Sequence, residues 1–346
     1  MFKVAVVGTG LIATRKHLPA WQRSDKAELV AVCELNPEQG EKIKKEFGIP
    51  KAYTDLGELL EAEKPDIVDI CTPPKSHAPL AIQALRGGAH CLIEKPMAID
   101  TDECDKIIAA AEENDRQVCV LHSDLFYPGF MRAYDMYQSG ALGEFRGMSI
   151  FLSTPVDYIT AKPDHWAHKL PGGVIGETGP HIVYLTLAFM NPIHDVQVLG
   201  TKQNPEFGWS PYEDYRINLT GKEGVATTIL TYSTNQWAAE CCLWGTEGMI
   251  KVDLETQKVI KHERTDLSVK GMGKSAISEV GQTIASVNRT GASVLTGGFK
   301  STHELLIQRL CENLAAGKPV PVSAQEGREA VRVVKLLADQ LDGVKV

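Results

Sequence analysis

Lys3-Val-Ala-Val-Val-Gly-Thr-Gly-Leu-Ile-Ala13 decides how the first third of the chain is read. Residues 3–7 form a short apolar run rich in valine, the pattern of a strand buried on both faces. Gly8-Thr-Gly10-Leu-Ile-Ala13 follows at once, and Thr14–Arg23 then carries a helical pattern. The result is GxGxxA between a strand and a helix. The first glycine permits a tight turn and the second lets the backbone approach a pyrophosphate. The small third residue lets helix and strand pack closely. Such a match is weak in isolation and strong at the first strand–helix turn of a chain. Gly8, Thr9, Gly10, Leu11 and Ile12 are therefore candidate dinucleotide contacts.

The second strand, Glu28–Cys33, ends in Glu34. That acid lies about twenty residues past the third fingerprint position, where a carboxylate accepts both hydroxyls of an adenosine ribose. Leu35 and Asn36 follow, with no arginine to receive a 2′-phosphate, so NAD is favoured over NADP. Arg15 and Lys16 are near enough in sequence to keep NADP open.

Strand and helix continue to alternate. Helices are expected from Asn36-Pro to Phe47, with Gly48 closing the first, and at Leu56–Glu63, His77–Arg86 and Thr101–Asn114. Strands are expected at Asp66–Cys71, His90–Ile93 and Gln117–Leu121. Repeated βα units of this length imply a doubly wound parallel sheet with helices on both faces, here assigned to residues 1–122. Two strand ends on its rim carry chemistry. His90-Cys-Leu-Ile-Glu-Lys-Pro-Met97 stops a buried strand with an acid, a base and a proline, which cannot donate to a sheet ladder. Glu94 and Lys95 thus sit at the carboxyl end of a parallel strand, where open α/β folds bind ligands; a charged surface turn is the plain alternative. Thr72-Pro-Pro-Lys-Ser-His77 ends another strand on the same rim. It places Thr72, Pro73 and His77 near the cofactor, and also reads as a helix entry held by prolines.

After Leu121 the pattern changes, and residues 123–346 are assigned to a second, α+β domain. Pro128–Ser139 is helical, then Glu144–Ser153 has a period near two. Further strands are expected at Val196–Gly200, Tyr215–Thr220, Val225–Tyr232, Trp237–Trp244, Met249–Leu254 and Lys258–His262. Short turns join several of them, so the sheet is mostly antiparallel, with a Glu177–Met190 helix on one face. Its second face needs a cover, which points to a homo-oligomer, a homodimer or homotetramer. Residues 267–300, rich in Gly, Ser and Thr with a weak helical pattern at Ser275–Ser286, are read as a mobile surface excursion in preference to a lid or subunit arm. His303–Ala316 and Gln325–Leu341 are closing helices.

A second polar cluster occupies residues 164–181, Asp-His-Trp-Ala-His-Lys-Leu-Pro-Gly-Gly-Val-Ile-Gly-Glu-Thr-Gly-Pro-His. Glu177 and His181 are i and i+4 and share a helix face. A carboxylate beside an imidazole orients the ring and favours its protonated form, the equipment of a general base. His165, Trp166 and Lys169 nearby are candidate substrate contacts. No third ligand adjoins Glu177-x-x-x-His181, so no metal is expected there.

Composition sets the class. The chain has 346 residues, 43% hydrophobic and 23% charged, enough for two domains of a soluble protein. A net charge of −8 argues against nucleic acid as partner. No apolar run reaches a membrane span and no signal peptide precedes the first strand, so a cytoplasmic protein is expected. Eight cysteines without a CxxC pair are read as buried free thiols.

Taken together, Gly8–Ala13, Glu94-Lys95-Pro96, Gly172-Gly173 with Glu177-x-Gly179-x-His181, and the Gly245-Thr-Glu-Gly248 turn resemble the glucose–fructose oxidoreductase/inositol dehydrogenase (Gfo/Idh/MocA) family across nearly the whole chain. The resemblance implies a Rossmann domain followed by an open-faced antiparallel sheet domain. It also implies a nicotinamide cofactor and substrates that are sugars, cyclitols or sugar derivatives. By it, Lys95 hydrogen-bonds the reacting hydroxyl near the nicotinamide, His181 exchanges the hydroxyl proton, and Glu177 orients His181. Two departures stand out. The acid before the histidine is usually Asp in the family, and His122-Ser-Asp-Leu-Phe126 replaces the family's Asn/Arg pattern, so no substrate contact is carried over there. The expected activity is NAD-dependent interconversion of a secondary hydroxyl and a ketone. The alternative is a dinucleotide-binding sensor or regulator of the same fold.

Overall fold

The alternation of the first third appears directly in the computed structural model, which describes residues 1–263 and 266–343. In chain order come β1 (Phe2–Val7), a π-helical turn (Ala13–His17) continued by α1 (Leu18–Gln22), β2 (Ala27–Cys33), α2 (Pro37–Phe47), β3 (Lys51–Tyr53) and α3 (Leu56–Glu63). Then follow β4 (Ile67–Ile70), α4 (His77–Arg86), β5 (His90–Ile93), α5 (Thr101–Glu113) and β6 (Val118–Val120). Beyond these lie α6 (Pro128–Gln138), β7 (Phe145–Pro155), α7 (Ile175–Leu187), β8 (Ile193–Thr201), β9 (Asp214–Gly221) and β10 (Gly224–Thr234). The chain closes with β11 (Ala238–Gly245), β12 (Met249–Asp253), β13 (Lys258–His262), α8 (Val269–Leu295), α9 (Thr302–Ala315) and α10 (Ala324–Leu341).

Two compact units form: Met1–Phe126 with Lys300–Arg332, and Tyr127–Phe299 with Val333–Val346. The first holds a six-stranded sheet in the order β3-β2-β1-β4-β5-β6, parallel throughout. This is the Rossmann order. Its switch point falls between β1 and β4, so a crevice opens at their carboxyl ends. The division after His122 leaves out the return of Lys300–Arg332 to this unit. The return is driven by burial, since Leu306, Ile307, Leu310 and Cys311 on α9 join the same apolar core as the sheet.

The second unit holds a seven-stranded sheet, order β13-β12-β11-β7-β10-β9-β8. Every neighbouring pair is antiparallel except β10 with β7. Alternate residues of β11, Ala239, Cys241 and Leu243, are buried, and the residues between them are not. One face therefore belongs to the core, and the other leaves Phe151, Val225 and Met249 exposed. All eight cysteines are free thiols and seven are buried.

Residues 267–300 correct the sequence reading. Val269–Leu295 is one continuous helix of 27 residues rather than an irregular excursion. Ser268 caps it by accepting from Gly271 N at 2.9 Å. Gln282 accepts from Lys261 N at 2.8 Å and donates to Lys261 O at 3.0 Å. The helix thus satisfies main-chain groups on β13 that no further strand pairs. Ser286 and Gln282 are the residues that dock it. Its outer side exposes Ile277, Val280, Ile284, Val287 and Val294. Among the described residues, no helix is long and apolar enough to cross a membrane.

Candidate active site

The turn after β1 has the form its glycines demand. Gly8 sits at φ +86, and a Cβ there would lie 2.8 Å from Thr72 Cγ2 and 3.0 Å from the Cys71 carbonyl oxygen. A Cβ on Gly10 would meet nothing within 4 Å, so the backbone there has open space in front of it. Ala13 is fully buried against the sheet. Tight turn, open approach and close packing are the three features a bound pyrophosphate needs at this place. Leu11 and Ile12 are exposed beside it. Thr9 is buried instead, and its N–H and hydroxyl donate to Glu34 Oε2 at 2.9 and 2.8 Å. Asn36 N donates to Glu34 Oε1 at 3.2 Å. Burial works against the Glu34 charge, but the hydrogen bonds from Thr9, Asn36 and Leu35 outweigh it and hold the carboxyl below its ordinary pKa. The strand-end acid is therefore charged and aimed along the glycine turn. We expect Glu34→Gln to raise the dissociation constant of NADH about tenfold or more and to narrow the preference for NADH over NADPH. Fluorescence titration with both cofactors checks this.

Thr72 and Pro73 line the carboxyl end of β4, with the Thr72 hydroxyl accepting from Ser76 Oγ at 2.8 Å. His77 turns inward. Its ring is fully buried, Nε2 lies 2.7 Å from Thr72 O, and Nδ1 lies 2.9 Å from Pro96 O. Burial lowers its pKa against the pull of those two carbonyls. The neutral ring donates to one carbonyl at a time and braces the Glu94-Lys95-Pro96 loop against the β4 end.

Glu94 also faces the interior, where it meets groups that sequence reading did not connect. Glu94 Oε1 lies 2.9 Å from His17 Nε2, and Oε2 accepts from Lys95 N at 2.8 Å. His17 Nδ1 lies 2.8 Å from Asp69 Oδ2, which also accepts from Trp21 Nε1 at 2.6 Å. Cys71 Sγ donates to Asp69 Oδ1 at 3.5 Å, and the His303 ring stands edge-on to His17 at 5.3 Å. All these groups are buried. Burial opposes charge on His17, but Asp69 more than compensates and holds its pKa well above 6.5. Burial likewise opposes charge on Glu94, yet the hydrogen bond and charge of His17, with Lys95, hold its carboxyl at about 2. His303 goes the other way: burial and the charge of His17 push it down to about 4. Two sets, His17 with Asp69 and Cys71 and His17 with Glu94 and His303, are close enough to bracket a metal ion. Their spacing follows from the contacts just given.

These shifts carry opposite signs with pH. The stabilisation from His17 is complete below 6.5 and is lost as pH rises through its raised folded pKa. That from His303 is complete above 6.5 and is lost as pH falls to about 4. That from Glu94 is complete above 4.5 and is lost as pH falls to about 2. The melting temperature of the first unit is therefore expected to peak near pH 6.5, which calorimetry across pH checks.

The second unit carries the other cluster. Gly172 and Gly173, at φ +70 and +73, turn the chain into α7. Tyr232 Oη donates to Val174 O at 3.3 Å and pins the start of the helix to the sheet. Glu177 lies in the first turn and His181 one turn on, both half-buried. The ring partner seen for His181 is Tyr184, whose hydroxyl lies 2.7 Å from Nδ1. Glu177 and His181 share one face of α7 at i and i+4, and the Tyr184 hydroxyl at i+3 of His181 also reaches the ring. Glu177 acts on His165: burial lowers the His165 pKa and the Glu177 charge pulls it up. The structure thus brings Glu177 electrostatically close to His165. His165 stacks on Trp166, ring centroids 5.7 Å apart, and Trp166 is 48% exposed. Lys169 is exposed at the end of the same short helical turn.

Residues 2–122 match the oxidoreductase family with an NAD-binding Rossmann fold, and residues 130–251 match the GFO/IDH/MocA C-terminal domain. The chain belongs to the GFO/IDH/MocA oxidoreductase family. Over 68% of its length it is 27% identical to the D-apiose dehydrogenase of Paraburkholderia graminis, and over 60% it is 27% identical to the D-glucoside 3-dehydrogenase of Escherichia coli. The aligned stretches span 62% of each relative. The crystal structure of the WlbA dehydrogenase from Bordetella pertussis, in complex with NADH and UDP-GlcNAcA, superposes with a TM-score of 0.78 at 18% identity. That superposition covers 99% of this chain and 96% of that one. At that identity it establishes the fold. The NAD cofactor class follows from family membership and from the fit of the Gly8–Ile12 turn.

Proposed function

We propose that the protein is an NAD-dependent dehydrogenase interconverting a secondary hydroxyl and a ketone on a sugar, cyclitol or sugar derivative. The observation that carries this reading is His181, held through Nδ1 by Tyr184 at 2.7 Å, one turn beyond Glu177 on α7. A dinucleotide sensor has no use for an oriented proton carrier. The two relatives, each named a sugar dehydrogenase, supply the substrate class.

The Gly8–Ile12 turn and Glu34 hold NAD, with Thr72 and Pro73 on the same rim; bound NAD supplies the hydride acceptor. Lys95 hydrogen-bonds the reacting hydroxyl and stabilises negative charge developing on its oxygen, an effect worth a few kcal/mol in a dry site. With Nδ1–H donated to Tyr184, Nε2 of His181 accepts the hydroxyl proton. Glu177 shares that helix face and offsets the positive charge the ring then carries. Trp166 stacks on a sugar face, and His165 and Lys169 reach hydroxyls or an acidic group. A panel of sugars, sugar acids, cyclitols and nucleotide sugars, followed by absorbance of the reduced cofactor, tests the reading. At least one member should reduce NAD. Tight NADH binding with no turnover across the panel would favour the sensor instead.

We further infer a homo-oligomer. The exposed apolar residues of α8 and of the open sheet face support it, since lone soluble chains seldom leave such patches uncovered. Sedimentation should return a dimer or tetramer.

A further inference from the structure

We propose that His17 is a positioning residue for the reaction, tying the helix that follows the nucleotide turn to the Glu94-Lys95-Pro96 loop and so fixing the main chain of Lys95. The proposal rests on the functional reading above for what it does to turnover, and on geometry alone for the clamp. Three stretches far apart in sequence converge on one fully buried ring: the π-helical turn after β1, Asp69 in β4 and Glu94 at the end of β5. Carboxylates only accept hydrogen bonds, so a ring with both nitrogens on carboxylates carries two N–H groups and a positive charge. Glu94 spends one oxygen on His17 and the other on Lys95 N, at 2.9 and 2.8 Å. The backbone of Lys95 is therefore one side chain removed from His17.

The surroundings favour this assignment over simple core filling. Trp21 and Cys71 both donate to Asp69, which fixes the carboxylate for His17. His77 bonds the Pro96 carbonyl from the opposite side, so the loop is gripped on both flanks of Lys95. His17 ends a π-helical turn two residues before Pro19. Pro19 has no N–H to continue the regular ladder, and π turns within helices are frequent at functional sites. The titratable groups facing the ring are Asp69 and Cys71 from β4 and its end, Glu94 from the β5 end and His303 from α9; Lys16 and Asp124 act on His303 in turn. Among them the two carboxylates sit directly on the ring nitrogens.

The test uses the full-length protein after reductive ¹³C-methylation of its lysines. The Lys95 resonance is assigned by its loss in Lys95→Arg. In His17→Gln, which cannot carry the positive charge of a ring bonded to two carboxylates, the Lys95 resonance should move toward the shift of exposed lysines. Circular dichroism should remain native and fluorescence titration should show NADH binding retained. With a substrate in hand, kcat should fall more than tenfold with little change in KM. Glu94→Gln, which keeps the shape but removes the charge and replaces one of the two acceptor oxygens with a donor, should move the same resonance. An unchanged Lys95 resonance in either folded variant would overturn the proposal. Failure of the wild-type protein to bind NADH would overturn the functional reading instead, and the Lys95 comparison would still decide the clamp.

Discussion

Lys95→Ala should lower turnover roughly a hundred- to a thousandfold while NADH affinity stays near that of the wild type. The reason is the division of labour along the rim. Cofactor binding is assigned in the proposed function to Gly8, Gly10 and Glu34, at the ends of β1 and β2. Lys95 follows β5, with its main chain anchored by Glu94, and its ammonium is assigned to charge that exists only as the substrate oxygen reacts. Lys95→Arg keeps the charge but replaces a compact ammonium with a planar fork, and should recover only part of the loss. Steady-state rates on a substrate from the panel, with NADH titration alongside, make the check. A large loss of NADH affinity would move Lys95 from the reaction to cofactor binding.

Asp69→Ala should destabilise the first unit by about 3–5 kcal/mol, the usual cost of removing one partner of a buried ion pair. Asp69 accepts from His17 Nδ1, Trp21 Nε1 and Cys71 Sγ, and it is fully buried in a central strand. Alanine leaves the charged ring short of a counter-ion and the indole N–H short of an acceptor. The melting transition should fall by roughly 10 °C. Asp69→Asn keeps the shape and an acceptor for Trp21, and should cost less. Calorimetry of both variants separates charge from packing. Equal losses would mean that the ion pair with His17 contributes little.

Much of the fold was legible because its local signals agree. The β-branched runs of β1, β2 and β4 are bounded by Gly, Asn and Pro, and the caps are where sequence placed them: Asn36 accepts from Glu38 N and Gln39 N, and Gly48 closes α2 in the left-handed region. The three-residue β3 was missed because Lys51-Ala-Tyr53 is too short to show a period. α8 shows in the sequence only as a weak helical pattern over Ser275–Ser286, because docking by Ser and Gln side chains leaves no apolar stripe facing inward.

The site was legible where partners are near in sequence and opaque where they are not. The position of Glu34 beside the glycine turn follows from spacing, and the shared face of Glu177 and His181 on α7 from helix geometry, while their roles are proposals. His17 is separated by 52 residues from Asp69 and by 77 from Glu94, and a lone histidine within a helix reads as packing. Only the strand order, which sets β4 beside β1 and β5 beside β4, brings the three together. Glu94 and His77 were rightly placed on the rim, but both turn inward to brace the loop that carries Lys95. Whether a side chain at a strand end faces ligand or core depends on a neighbour that only the fold supplies.

The most direct measurement is the fate of carbinol deuterium. The protein is incubated with NAD and perdeuterated pentoses, hexoses and cyclitols, and the reduced cofactor is read by mass spectrometry and NMR. A dehydrogenase of secondary hydroxyls should deliver deuterium to C4 of the nicotinamide, and delivery should be lost in Lys95→Ala and His181→Asn. NAD bound by the wild-type protein with no deuterated NADH formed from any of these substrates would contradict the account.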